Sequence, residues 1–214
     1  FHKNLVVPYQ GIEQDTILRE GTTVEKLSNL KAVFDGGPKG TLTAANSTPL
    51  TDGAAAVLLC SEQYAEENNL SVLATFVDAQ IAAIDFEGGE GLLMAPAYAV
   101  PKLLQKNGLT LQDFDFYEIH EAFAAQVLCT LKAWESDDFC KNKLGLDGAL
   151  GSIDRSKLNI KGGSVALGHP FAATGARITT TLAELLNQAG SGRGLISICT
   201  AGGMGVTAIL EKNN

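Results

Sequence analysis

Apolar residues recur at helical spacing in two stretches of the chain. Phe123, Val127, Leu128, Leu131 and Trp134 mark one amphipathic helix, beginning after Glu121. Ile178, Leu182, Leu185 and Leu186 mark another, closed by Gly190. A third helix is predicted over residues 95–107, with Gly108 as its stop. Ser61 is placed to cap a short polar helix that ends near Asn68-Asn69. A continuous apolar run at 54–60 predicts a buried strand, and 72–77, 114–119, 195–199 and 206–210 also read as strands, with 195–199 buried. Gly202-Gly203 and Gly205 predict a tight turn between the last two. Thr110 to Asp113 has the form of a capping box around one short turn.

Two regions lack such patterning. Residues 1–40 are broken by Pro8, Gly11, Gly21 and the Gly36-Gly37-Pro38 cluster, and residues 136–161 predict a long polar excursion over the surface. A new unit is expected near Ser71, dividing the chain into residues 1–70 and 71–214. Helices alternating with apolar strands predict an α/β class with a sheet of mixed direction.

Composition narrows the function classes. With 45% hydrophobic and 19% charged residues the chain is globular, and its net charge of −8 argues against nucleic acid as a partner. No apolar run spans a bilayer. The chain begins at Phe1 rather than methionine, which predicts a piece cut from a longer polypeptide. Cys60, Cys129, Cys140 and Cys199 have no CxxC pairing and no metal-ligand spacing, so they predict reduced thiols in a cytosol-like compartment and no metal.

Three constellations carry candidate chemistry. His169 lies in a glycine-rich run, Gly162 to Arg177, that leads into a helix. A histidine there serves as general base, as donor to a developing oxyanion, or as a loop residue satisfying a carbonyl. Cys199, where a buried strand meets the glycine turn, is a nucleophile, a proton-transferring thiol, or an inert core cysteine. His120 and Glu121 stand where a strand meets a helix, and Glu121 reads as a structural acid of the helix's first turn. Lys161 and Arg177 flank the loop and read as solvated charges, with phosphate contacts as the alternative.

Together these segments resemble the thiolase family, in particular the 3-ketoacyl-CoA thiolases of fatty-acid β-oxidation. Gly162 to Arg177 resembles the family's Gly-His-Pro block, Cys199 to Gly205 its terminal cysteine–glycine loop, and His120 to Gln126 its Asn-Glu-Ala-Phe block. Thr43 to Ala55 supplies a fourth match, in family order. The resemblance implies a thiolase-like αβαβα layered fold. This chain would hold the carboxyl-terminal half, with a mixed five-stranded sheet, and the end of the amino-terminal half.

It implies His169, Cys199 and His120 as catalytic, the Ala201 backbone N–H as an oxyanion donor, and Ala44, Thr48, Ala122 and Phe123 as lining the substrate tunnel. The reaction is thiolytic cleavage of 3-oxoacyl-CoA. Coenzyme A is a substrate and no cofactor is implied. His120 stands where most of the family has asparagine, as in the branch that works with a hydratase/dehydrogenase α subunit. A homodimer is implied, cytoplasmic in a bacterium or mitochondrial in a eukaryote. The family's nucleophilic cysteine matches none of the four here, so the chain alone is expected to be inactive. The alternatives are a non-catalytic coenzyme A-binding or interaction module and a nucleotide-binding α/β domain; the latter lacks a G-x-G-x-x-G after its first strand.

Overall fold

In the computed structural model, which describes residues 1–213, three helices and a hairpin build most of the core. In chain order the elements are α1 (Val24–Ser28), α2 (Glu62–Glu67), β1 (Thr75–Ala83), α3 (Ala95–Asn107), β2 (Phe116–Ile119), α4 (Ala124–Trp134), α5 (Asp137–Asn142), α6 (Ser164–Leu167), α7 (Thr174–Ala189), β3 (Gly192–Thr200) and β4 (Met204–Lys212). The sheet order is β1-β4-β3-β2. β3 and β4 form an antiparallel hairpin, β1 runs antiparallel to β4, and β2 runs parallel to β3. The direction is therefore mixed, as the alternation of helices and strands predicts.

Strand alternation sorts the side chains into two cores. Tyr117, Ile119, Leu195 and Ile209 meet Val100, Leu103 and Leu104 of α3 and Val127, Leu131 and Trp134 of α4. Ile196, Ala208 and Leu210 on the opposite face meet Ile178, Leu182 and Leu186 of α7. Gly194 lets α7 approach closely, because a Cβ there would run into the Leu182 side chain. The sheet is thus held between α3/α4 and α7. Glu118 of β2 and His120, just past its end, both lie near Arg177 of α7.

Helix α3 begins and ends where the sequence predicts, with Gly108 left-handed at φ 64° as the stop. Pro101 inside it lacks the N–H that would reach the Ala97 carbonyl. The Trp134 indole fills that vacancy, donating to Ala97 O at 3.4 Å from the neighbouring α4. Trp134→Phe keeps most of the ring volume and orphans the carbonyl. It is expected to cost about 1–2 kcal/mol, read as a lower urea midpoint with an unchanged slope; an unmoved midpoint would count against this role.

Several expectations are corrected. Residues 54–60 are not a strand, and Leu58 and Leu59 are 77% and 71% exposed. An apolar run becomes a strand only beside a partner, and no described residue pairs with this one. The sheet has four strands where five were expected. At its β2 edge the fifth position shrinks to one parallel bridge, Tyr117 to Leu158. Asn159, at φ 46°, turns the chain away and completes the edge instead. Its N–H donates to Tyr117 O, and its side-chain amide accepts from Ile119 N and donates to Ile119 O, all at 2.8 Å.

The polar excursion is also better packed than expected. It contains α5, and Cys140 and Ile153 are buried within it. The Cys140 thiol lies against the Ala133 and Trp134 carbonyls at the end of α4. Leu128 is the exception on the α4 stripe, facing solvent rather than the core.

Candidate active site

The glycine-rich loop is clamped from the amino-terminal segment. The His169 N–H donates to Pro49 O at 2.9 Å, and Leu50 and His169 form a parallel bridge. Gly168 sits at φ 90°, and a Cβ there would lie 2.7 Å from the Thr51 side chain. Leu50, Thr51, Gly53, His169, Pro170 and Phe171 line an open cleft of about 340 Å³.

His169 Nδ1 lies 2.7 Å from Thr174 Oγ1, in the first turn of α7. The Thr174 hydroxyl donates in turn to Pro170 O at 3.2 Å, so its oxygen accepts the Nδ1 proton. The partners thereby assign the Nδ1–H tautomer and leave Nε2 with a free lone pair. Burial, and then the positive field of Arg177, hold this imidazole below its usual pKa. His169 is a neutral base at pH 7.

His120 leaves the end of β2 with its N–H on Ser197 O at 2.8 Å. His120 is 1% exposed, and its ring lies against that of His169, with centroids 4.3 Å apart and the planes tilted by 45°. Burial first, then the charges of His169 and Arg177, push its pKa down to about 3. His120 Nδ1 is 2.9 Å from Ser164 Oγ, while Nε2 is buried without a partner.

Glu121 is structural, as expected, though it serves a different helix. Its carboxylate accepts from Val165 N at 3.0 Å, in the first turn of α6, and from Asn159 Nδ2 at 2.7 Å. Gly163 makes room for it, since a Cβ there would collide with that carboxylate. Gly163→Ala is expected to displace Glu121 and to cost about 1–3 kcal/mol. Thermal denaturation checks this, and an unchanged midpoint would contradict it.

Cys199 ends the buried part of β3 and is 4% exposed. Burial pushes its thiol up to about 11, against the opposing pull of its own N–H and that of Ala122. It therefore stays protonated at neutral pH and suits an acid better than a nucleophile. The thiol donates to Gln126 Oε1 at 3.6 Å, and among the described residues it bonds to neither histidine. Ala201 is exposed in the following turn, where Gly202 and Gly203 are both left-handed. Its N–H has no partner among the described residues.

Thr48 and Ala122 meet directly, Thr48 N donating to Ala122 O at 3.0 Å, and Ser47 bridges Phe123. Thr48 Oγ1 also donates to Ser164 O at 2.7 Å, which ties this pair to the histidines. The Phe123 ring packs on Phe34. Ala44 lies exposed in the preceding turn, with no contact that brings it to either histidine.

Sequence reasoning passed over Ser164, Thr174, Gln126 and Glu118, and it misread Arg177. That guanidinium is not a solvated charge: Nη2 donates to Ser164 Oγ at 2.7 Å and Nε is buried. Glu118 is 2% exposed, with Oε1 unpartnered. Burial pushes its carboxyl up to about 8, only partly offset by Arg177. A charged residue within the apolar run Phe116-Tyr117-Glu118-Ile119 was the available signal. Ser164 and Thr174 gave none.

Residues 70–212 match the family model "Thiolase, C-terminal domain", and residues 5–63 match "Thiolase, N-terminal domain". The chain belongs to the thiolase family. It is 46% identical over 207 residues to a 3-ketoacyl-CoA thiolase of Pectobacterium atrosepticum, covering 96% of this chain and 47% of that one. The dimeric peroxisomal thiolase of Saccharomyces cerevisiae superposes with a TM-score of 0.77 at 38% identity, covering 94% of this chain and 46% of the other. The Bacillus anthracis acetyl-CoA acetyltransferase gives 0.76 at 38% identity, covering 92% and 45%. The fold is thiolase-like, and the chain spans about half the length of the curated relatives it matches. No helix of the described residues is long and apolar enough to cross a membrane.

Proposed function

We propose that this chain supplies the acid–base part of a thiolytic active site acting on 3-oxoacyl-CoA. The observation that carries the reading is His169, neutral and with Nε2 free, its ring 4.3 Å from that of His120. The protonated thiol of Cys199 supports it. Relatives named 3-ketoacyl-CoA thiolase supply the substrate class.

In this reading a cysteine from outside the chain gives its proton to His169 and attacks the 3-keto carbon. The C2–C3 bond breaks, and its electron pair becomes the enolate of acetyl-CoA. Cys199 protonates that enolate at C2. His169 gives up its proton and the Cys199 thiolate regains one, through solvent. A second coenzyme A then gives its thiol proton to His169 and attacks the acyl-enzyme thioester, and the departing enzyme cysteine takes that proton as the shortened acyl-CoA is released. The Ala201 N–H and the His120 ring face the developing oxyanions. Thr48, Ala122 and Phe123, with Ala44, line the approach of the pantetheine arm. The division near residue 70, a homodimer, a hydratase/dehydrogenase partner and a cytoplasmic site in a bacterial host belong to the same proposal. The chain alone carries no thiolysis.

The role of Cys199 is tested in a fusion of this chain behind the unmatched amino-terminal portion of the Pectobacterium relative. The fusion should exchange the methyl hydrogens of acetyl-CoA with deuterated water. Cys199→Ala should abolish that exchange while acyl transfer between coenzyme A thiols persists. Exchange surviving in the variant would remove Cys199 from the proton transfer.

A further inference from the structure

We propose that Ser164 and Arg177 are positioning residues that hold His120 as its Nε2–H tautomer, so that the ring offers a proton rather than a lone pair to a thioester or keto oxygen. Only the identity of that oxygen rests on the proposed function; the tautomer does not.

The argument is one of donors and acceptors. A serine hydroxyl has one proton and two lone pairs, and a guanidinium only donates. The Arg177 Nη2 contact at 2.7 Å therefore occupies a lone pair of Ser164 Oγ. The other partner of that oxygen is His120 Nδ1 at 2.9 Å. If Nδ1 carried the ring proton, Ser164 would receive two donors. Its own proton would then have no acceptor, in a residue with 0% exposure. With Ser164 donating to Nδ1, the Ser164 hydroxyl and His120 Nδ1 are both satisfied.

The proton of the neutral ring then sits on Nε2. That nitrogen is buried without a partner among the described residues, and an unmet buried donor is destabilising. An oxygen arriving from outside the chain relieves that cost.

The positions of both residues are themselves fixed. Ser164 opens α6, and its carbonyl is held by Thr48 Oγ1 at 2.7 Å. Arg177 lies three residues after Thr174 in α7. One helical turn therefore sets both rings: Thr174 leaves His169 a lone pair, and Arg177, through Ser164, leaves His120 a proton. Two adjacent imidazoles of the same chemistry acquire opposite roles.

Long-range ¹H–¹⁵N spectra of the 214-residue chain test this, because only His2, His120 and His169 contribute ring signals. His2→Gln and His169→Asn assign them. His120 should show a protonated Nε2 and a hydrogen-bonded, unprotonated Nδ1. Ser164→Ala should move the Nδ1 resonance downfield, toward an unbonded ring nitrogen, and Ser164→Thr, which keeps the hydroxyl, should restore it. A wild-type His120 protonated on Nδ1, or an Nδ1 resonance unmoved by Ser164→Ala, would overturn the proposal. The wild-type spectrum decides even if a variant does not fold. Absence of thiolysis in the fusion would overturn the functional reading and leave these spectra as they are.

Discussion

His169→Asn, placed in the fusion with the amino-terminal portion of the Pectobacterium relative, is expected to lower kcat by about 10²- to 10⁴-fold, the usual contribution of a positioned acid–base group. KM for 3-oxoacyl-CoA should change little. The Asn side chain keeps a polar atom near Thr174 and cannot accept the cysteine proton. The loss follows from the free Nε2, because the Nδ1 side is already committed to Thr174 and through it to Pro170 O. Initial rates against substrate concentration check it. A loss below tenfold in a folded variant would take the base role away from His169.

The second large effect is in stability. Glu118 in β2 and His120 just past its end are displaced in opposite directions, the carboxyl up to about 8 and the imidazole down to about 3. Both shifts keep the buried group uncharged. The Glu118 contribution is fully present below the ordinary carboxylate pKa of 4.5 and is lost as pH rises from 4.5 to about 8, because only the unfolded chain ionises freely there. The His120 contribution is present above 6.5 and is lost as pH falls from 6.5 toward about 3.

Glu118→Gln removes the first dependence and keeps the shape. Its gain over the parent chain should be near zero below pH 4.5 and should grow across that window toward an upper bound of about 5 kcal/mol at pH 8 to 9. Urea denaturation at several pH values measures it. A difference that does not vary with pH would show that Glu118 does not titrate as described.

The legible parts of this chain are those whose cause is local. Gly108 ends α3 and Gly190 ends α7 because a left-handed stop needs no knowledge of the rest of the molecule. The glycine run around His169 and the strand end at Cys199 were equally visible. What failed depends on distant partners. Residues 54–60 are as apolar as β3 and still form no strand, because pairing is decided elsewhere in the chain. Cys140 falls in the stretch read as a polar surface excursion, yet it packs against the end of α4. Arg177 looked like a surface charge because nothing in its own helix announces Ser164, thirteen residues upstream. The resemblance named His169, His120 and Cys199; the threonine, serine and arginine that orient the two rings emerged from the structure alone.

Production of acetyl-CoA from a 3-oxoacyl-CoA and coenzyme A, measured side by side for this chain alone and for the fusion, tests the account most directly. Thiolysis should occur only in the fusion, where a nucleophilic cysteine meets His169 and Cys199. Turnover by the isolated chain comparable to that of the Pectobacterium enzyme, or a folded fusion with none, would contradict it.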